Sequence, residues 1–302
     1  VPLVVLPIVA LAAVLHVVWN VILKTAGDPL RTSARAMVAG VALWAPVGVA
    51  AYLWAGRPEI PLAAWGLAFL SGVLETAYFV CLGAAYRRGD LSLVYPIARG
   101  TAPVLTVVAG VVVLGERLPP VGLAGVGVIL VGLLLLQRPW QVVAALTRPR
   151  VAAGRASSLA VVGLALATGV TIAAYSAVDR VGARVVAPWL FAALVFPICA
   201  LGTALWVRFV DRWPRATDGS DAPWRRSTLA GVMTIGAYLL ILFAYSVAPL
   251  SIVSPLRESA VVLAAGWGSL RLGEAAAPRE AATRIGAASL VLVGAVLVAV
   301  GR

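Results

Sequence analysis

The sequence predicts an all-α membrane protein: ten transmembrane helices forming two inverted five-helix repeats around a central cavity. Composition, the spacing of apolar runs and an internal duplication each point there. The 302 residues are 62% hydrophobic and 12% charged, with a mean hydropathy of +1.00. A soluble domain carries about 25% charged residues, so this chain has too little polar surface to face water. The formal net charge is +12. The basic residues stand mostly at the ends of apolar segments, as membrane anchors do, and form no stripe with interleaved aromatics, so no nucleic acid is expected as a partner. Cys81 and Cys199 fall inside apolar runs. Neither a disulfide framework nor a metal site is expected, since His16 is the single histidine.

A spanning helix needs about 20 apolar residues. Runs of that length lie near 3–23, 32–54, 63–86, 91–114 and 119–137, then near 158–178, 185–208, 227–247, 250–271 and 281–300. The first run lacks a basic leader segment and reads as a retained helix. Arg87-Arg88-Gly89-Asp90 separates the third run from the fourth, and Val247-Ala248-Pro249 separates the eighth from the ninth. The seventh run gives way to a polar loop, Asp211 to Arg226. Residues 1–137 form the first repeat, 138–157 a basic linker with Arg138, Arg148, Arg150 and Arg155, and 158–302 the second repeat. Five helices per repeat is an odd number, so the second enters the membrane inverted. Loops after odd-numbered helices hold most of the Arg and Lys, including Lys24, Arg31, Arg35, Arg87 and Arg88. Charge counting therefore places both termini outside.

The duplication is direct. Ala85-Tyr86 leads into Leu91-Ser92-Leu93-Val94-Tyr95-Pro96-Ile97-Ala98-Arg99 and closes on Leu114-Gly115-Glu116. Ala244-Tyr245 leads into Leu250-Ser251-Ile252-Val253-Ser254-Pro255-Leu256-Arg257-Glu258 and closes on Leu272-Gly273-Glu274. Duplicated halves with proline-interrupted apolar helices are the pattern of a secondary transporter.

With Trp19-Asn20-Val21-Ile22-Leu23-Lys24 ending the first helix, the glycine-rich fifth helix from Gly122 to Gly132, and the two Leu-Gly-Glu segments, the chain resembles the drug/metabolite transporter superfamily. The resemblance is to its ten-helix branch built from two EamA-type domains, over roughly residues 5–136 and 158–300. It implies a carrier for small metabolites, often an exporter, with a cavity between the halves. Arginine within the fourth and ninth helices departs from the commonest pattern. The resemblance carries no substrate with it.

Arg99 lies nine residues into the fourth helix and Glu75 at a similar depth in the third. A guanidinium at the bilayer centre costs at least ~2.5–3.5 kcal/mol, so it must face a partner or a cavity. A Glu75–Arg99 pair and contact of Arg99 with an anionic substrate are both expected, compatible if the pair exchanges during gating. Counting back from Leu-Gly-Glu aligns Arg257 with Arg99; counting forward from the proline aligns Glu258 with it. Glu75 and Glu258 are candidates for proton coupling or gating ion pairs. His16 and Asn20 share one face of the first helix beside Trp19, and a histidine suits substrate contact, proton coupling or plain packing. Tyr78, Tyr95, Tyr175 and Tyr238 complete the substrate-binding candidates; the serines and threonines read as interhelical packing.

The expected activity is secondary active transport of a small anionic or zwitterionic metabolite, such as an amino acid, by alternating access. The protein is expected in a bacterial cytoplasmic membrane, as a monomer or homodimer, with no cofactor and no metal. Alternatives are a lipid or polyprenyl-phosphate translocase of the same fold and a proton-coupled drug exporter. An intramembrane enzyme would need clustered acids or histidines, whereas Asp28, Asp90 and Asp179 are single and scattered in the sequence, so no catalytic residue is expected.

Overall fold

A computed structural model describes residues 2, 4–24, 28–88, 91–138, 140, 155–212, 223–258 and 278–300. These residues form ten α-helices: α1 (Val5–Lys24), α2 (Pro29–Trp54), α3 (Leu62–Arg88), α4 (Leu91–Val108), α5 (Pro120–Gln137), α6 (Arg155–Val185), α7 (Pro188–Leu205), α8 (Trp224–Val247), α9 (Leu250–Arg257) and α10 (Pro278–Val300). A π-helical turn extends α4 over Ala109–Val113 and another extends α7 over Trp206–Val210. There is no strand among the described residues. The helices Pro29–Trp54, Leu62–Arg88, Leu159–Val185, Pro188–Val210 and Trp224–Val247 are long and apolar enough to cross a membrane, and four shorter helical stretches are apolar as well. Large apolar side chains such as Leu43, Leu62, Phe69, Val112 and Val296 stand exposed on the outside. An outer surface of that kind belongs in lipid, and the protein is an integral membrane protein.

Local chemistry sets the helix starts. Asp28 caps α2 by accepting from the backbone N–H of Leu30 (3.0 Å) and Arg31 (3.1 Å), with Pro29 opening the first turn. Proline likewise opens α5 and α7, where its missing N–H costs nothing. The largest departure from the expected spans is α6, which runs seven residues past the expected end at 178 and so encloses Asp179. The ninth helix is described only as far as Arg257; residues 259–277, including Arg271 and Leu272-Gly273-Glu274, lie outside the described residues.

The helices pack in a defined set of pairs: α1 on α8, α3 on α6, α2 on α8, α3 on α7, α2 on α7, α4 on α6 and on α9, and α5 on α10. Small residues allow the closest crossings. A Cβ added at Gly125 would stand 2.9 Å from the carbonyl oxygen of Gly294, and one added at Gly294 would stand 2.7 Å from that of Gly125. A Cβ added at Gly40 would stand 3.0 Å from the carbonyl oxygen of Gly231 where α2 crosses α8. Backbones in lipid associate through such close approach, because burying hydrocarbon from hydrocarbon supplies no driving force. Gly127 has nothing within 4 Å of its added Cβ. Gly125→Leu should therefore destabilise the protein by ~1–3 kcal/mol, the range for overpacking, while Gly127→Leu leaves the thermal midpoint in detergent unchanged.

Candidate functional site

A cavity of about 40 Å³ lies inside the bundle, room for roughly three waters at ~10–15 Å³ each. His16 and Trp19 of α1, Met37 of α2, Glu75, Tyr78 and Phe79 of α3, Tyr175 of α6, Phe196 of α7, Thr234 and Tyr238 of α8, and Arg257 of α9 line it. The rings form a connected wall: centroids stand 5.9 Å apart for Tyr78–Tyr175, 6.1 Å for Tyr175–Tyr238 and 5.3 Å for Phe196–Tyr238. Tyrosine faces attract cations as well as apolar groups.

Two charged groups present unused polar atoms here. Arg257 is 5% exposed and its Nε has no hydrogen-bond partner. Glu75 is 4% exposed and its Oε1 has none. Cys199 of α7 lies beside the carboxyl group of Glu75. A buried polar atom left without a partner is costly, so such groups mark places where something else binds.

Arg99 is placed differently from expectation. Its carboxylate is Glu258, not Glu75: Nη1 donates to Oε1 at 3.0 Å and to Oε2 at 3.2 Å. The physical reason is packing. α4 runs against α6 and α9, which turns Arg99 toward Glu258, while α3 directs its polar face toward α6 and α7. Glu258 also receives a longer contact, 3.4 Å, from Nη2 of its neighbour Arg257. Arg99 contacts Nε2 of His16, and Trp19 Nε1 donates to His16 Nδ1 at 3.0 Å. A neutral imidazole has one acceptor nitrogen, so Arg99 and Trp19 compete for it. Tyr95 stands with its ring centroid 6.0 Å from the Arg99 guanidinium carbon. Arg99, Tyr95 and Glu258 are absent from the cavity lining, whereas His16, Trp19, Tyr78, Tyr175, Tyr238, Arg257 and Glu75 belong to it. Asn20 is on α1, and its side chain lies outside the described residues.

The acidic residues are less scattered than their sequence positions suggest. Asp179 of α6 is fully buried; it accepts from Ser71 Oγ of α3 at 2.5 Å and from the Tyr238 hydroxyl of α8. Asp28 joins Asp211 around Arg87: Arg87 donates to Asp28 at 2.5 Å and to the two Asp211 oxygens at 2.7 and 2.9 Å. This cluster ties the start of α2, the end of α3 and the end of α7 at one end of the bundle. At the other end Glu116 accepts from the backbone N–H of Leu250 (2.7 Å) and Ser251 (3.0 Å), from Ser251 Oγ (2.7 Å) and from Arg180 Nε (3.3 Å). Arg180 also donates to the carbonyl of Tyr245. The Glu of the first Leu-Gly-Glu segment thus caps α9, with Gly115 at φ +64° making the turn that aims it. Asp90 lies outside the described residues. The expected span ended at 178, which put Asp179 outside the helix that contains it.

The site is a cavity among apolar helices with buried charge at its wall. Residues 3–138, under half of the chain, match the EamA-like transporter family. Over 73 residues it is 38% identical to the spermidine export protein MdtI of Cronobacter sakazakii (strain ATCC BAA-894). That match spans 24% of this chain and 65% of the relative's length. A protein of known crystal structure, 22% identical, superimposes with a TM-score of 0.69 over 99% of this chain and 98% of its own. At that identity it shows the fold alone.

Removing one partner of a buried ion pair leaves the other charge uncompensated, at about 3–5 kcal/mol. Glu258→Leu should lower the thermal midpoint accordingly, and the double variant Arg99→Met/Glu258→Leu should recover most of the loss. A double variant no more stable than the single one would show that Arg99 draws its main compensation elsewhere.

Proposed function

We propose that the protein is a secondary carrier that moves a small zwitterionic metabolite, an amino acid or a compound like one, by alternating access. One observation carries the reading: Arg257 Nε and Glu75 Oε1 both lack partners and both border one buried cavity. A carboxylate suits the guanidinium and an ammonium suits the carboxylate, so a molecule with both ends satisfies two atoms that lack partners. Arg99 does not serve as the anion site in this reading, because Glu258 already occupies it.

The helix packing supports two inverted repeats, residues 1–137 and 158–302 joined by 138–157. Exchanging each helix with the one five places on turns the α1–α8 contact into α6–α3, and α2–α8 into α7–α3; it returns α2–α7 and α5–α10 to themselves. On that two-fold Arg99 and Glu258 occupy matching positions after Pro96 and Pro255, which is why they meet. The clusters at Arg87 and at Glu116 then act as the two gates. A bacterial inner membrane is the natural site, export the favoured direction, and an ion gradient the energy source.

A second reading is export of an amine or polyamine. The aromatic wall beside Glu75 favours it, as does the likeness to a protein named for spermidine export. A thermal-shift screen of the purified protein separates the two. For a zwitterion, Arg257→Gln and Glu75→Gln should each weaken binding about ten- to hundred-fold, the worth of a charge-assisted hydrogen bond of ~1.5–3 kcal/mol. Amine binding that survives Arg257→Gln and fails in Glu75→Gln would select the second reading. Stabilisation by neither class would overturn both and favour a lipid phosphate.

A further inference from the structure

Asp179 is absent from the cavity lining, yet it is 0% exposed inside a helix that crosses the membrane. Both its oxygens are taken by hydroxyls, Ser71 Oγ and the Tyr238 OH. No lysine or arginine hydrogen-bonds to it among the described residues. Hydroxyl partners are unlike amide or guanidinium partners, because a hydroxyl donates or accepts by rotation. Ser71 and Tyr238 can therefore donate to an ionised Asp179 or accept from a protonated one with no heavy atom displaced.

Glu75 lies one turn along α3 from Ser71, on the same face. Asp179 and Glu75 are within electrostatic reach of one another. Groups around this pair come from several packed elements: Arg257 from α9, Tyr175 from α6, Cys199 from α7, Tyr238 and Tyr245 from α8, Tyr78 from α3, and His16 from α1 across the cavity. The described cation in this set is Arg257, so two ionised carboxylates here repel with one positive charge between them. A proton on Asp179 relieves that repulsion, and so does an ammonium at Glu75.

A separate observation leads away from the cavity. The hydroxyls of Ser176, one turn before Asp179 on α6, and of Tyr245 are both 0% exposed and lie beside one another. The Tyr245 side chain lies within electrostatic reach of Asp179, while Arg180 holds the Tyr245 carbonyl and Glu116. These two hydroxyls thus add buried polar groups to the surroundings of Asp179.

We infer that Asp179, held by Ser71 and Tyr238, is the proton-binding site of the carrier, distinct from the substrate site at Glu75. Proton at Asp179 and ammonium at Glu75 compensate the same repulsion, so each disfavours the other, and the protein exchanges protons for substrate. This assignment rests on the carrier reading above. The proton taken up by the Asp179 carboxylate from water on one side is released to water on the other.

The first experiment needs no substrate. Infrared difference spectra of the purified protein between acid and alkaline pH should show a protonated-carboxyl band that Asp179→Asn abolishes and Glu258→Gln retains. Ser71→Ala and Tyr238→Phe, which keep the carboxylate, should displace the midpoint of that band. A band unchanged in Asp179→Asn overturns the assignment. The second experiment uses proteoliposomes with radiolabelled L-alanine and spermidine as probes. Asp179→Asn should lose accumulation driven by a pH gradient while still exchanging labelled for unlabelled probe. Loss of exchange as well, or accumulation driven by a sodium gradient instead, overturns proton coupling at Asp179. Transport of neither probe refutes the proposed substrate classes, and the infrared result then decides Asp179 alone.

Discussion

The bond between Arg99 and Glu258 is the interaction around which the interior is arranged. A lone guanidinium in hydrocarbon is among the most expensive groups a membrane helix can carry. Here it is held at 6% exposure by a carboxylate at 2% exposure on another helix. Arg99 belongs to α4 and Glu258 is the C-cap of α9; the two helices lie far apart in the chain and contain the duplicated proline segments. The bond therefore fixes the position of α9 relative to α4, and with it the side on which Arg257 emerges. Because adjacent residues on a helix point about 100° apart, committing Glu258 to Arg99 turns Arg257 toward the cavity. One buried pair thus determines which charge remains available.

Charge is distributed in three layers. Arg87 gathers Asp28 and Asp211 at one end, Glu116 gathers Arg180 and the first turn of α9 at the other, and between them lie the cavity and its carboxylates. The carboxylates of the end clusters meet guanidinium forks or helix N–H groups, which are the partners such oxygens bind best. At the cavity wall Arg257 and Glu75 each keep a buried polar atom without a partner. Open polar atoms at a cavity wall are what a binding protein needs, since a fully paired wall would leave nothing to recognise a solute. The close Gly125–Gly294 and Gly40–Gly231 crossings supply rigid contacts against which the middle can rearrange.

Much of the site was legible in residue type. Arg99, Arg257, Glu75, Glu258 and His16 stand out because ionisable groups in apolar runs need a reason to be there, and all are buried or lie on the cavity wall. Their pairing was not legible. Depth along two helices suggested Glu75 for Arg99, but depth says nothing about azimuth, and rotation about the helix axis sent the two apart. Asp179 shows the complementary difficulty. It lies at the end of an apolar run, where an acid usually marks a loop, and only the continuation of α6 to Val185 makes it an interior residue. Ser71 and Tyr238 gain their meaning from Asp179 and had none in isolation. Glu116 was visible as part of a repeated motif, but its work as the cap of α9 depends on a helix 134 residues away in the chain.

By itself the sequence determined that this is a helical membrane protein with charges that must be sheltered. Those properties follow from composition, run length and spacing, which are local and additive along the chain. Tertiary structure decided which charges cancel and which stay open, because that depends on how ten helices are rotated against one another. The rotation is set by small-residue crossings and by the Glu258 carboxylate that reaches Arg99. None of these is encoded in one segment, so the pairing that leaves Arg257 and Glu75 facing a common cavity becomes visible only when the helices are packed.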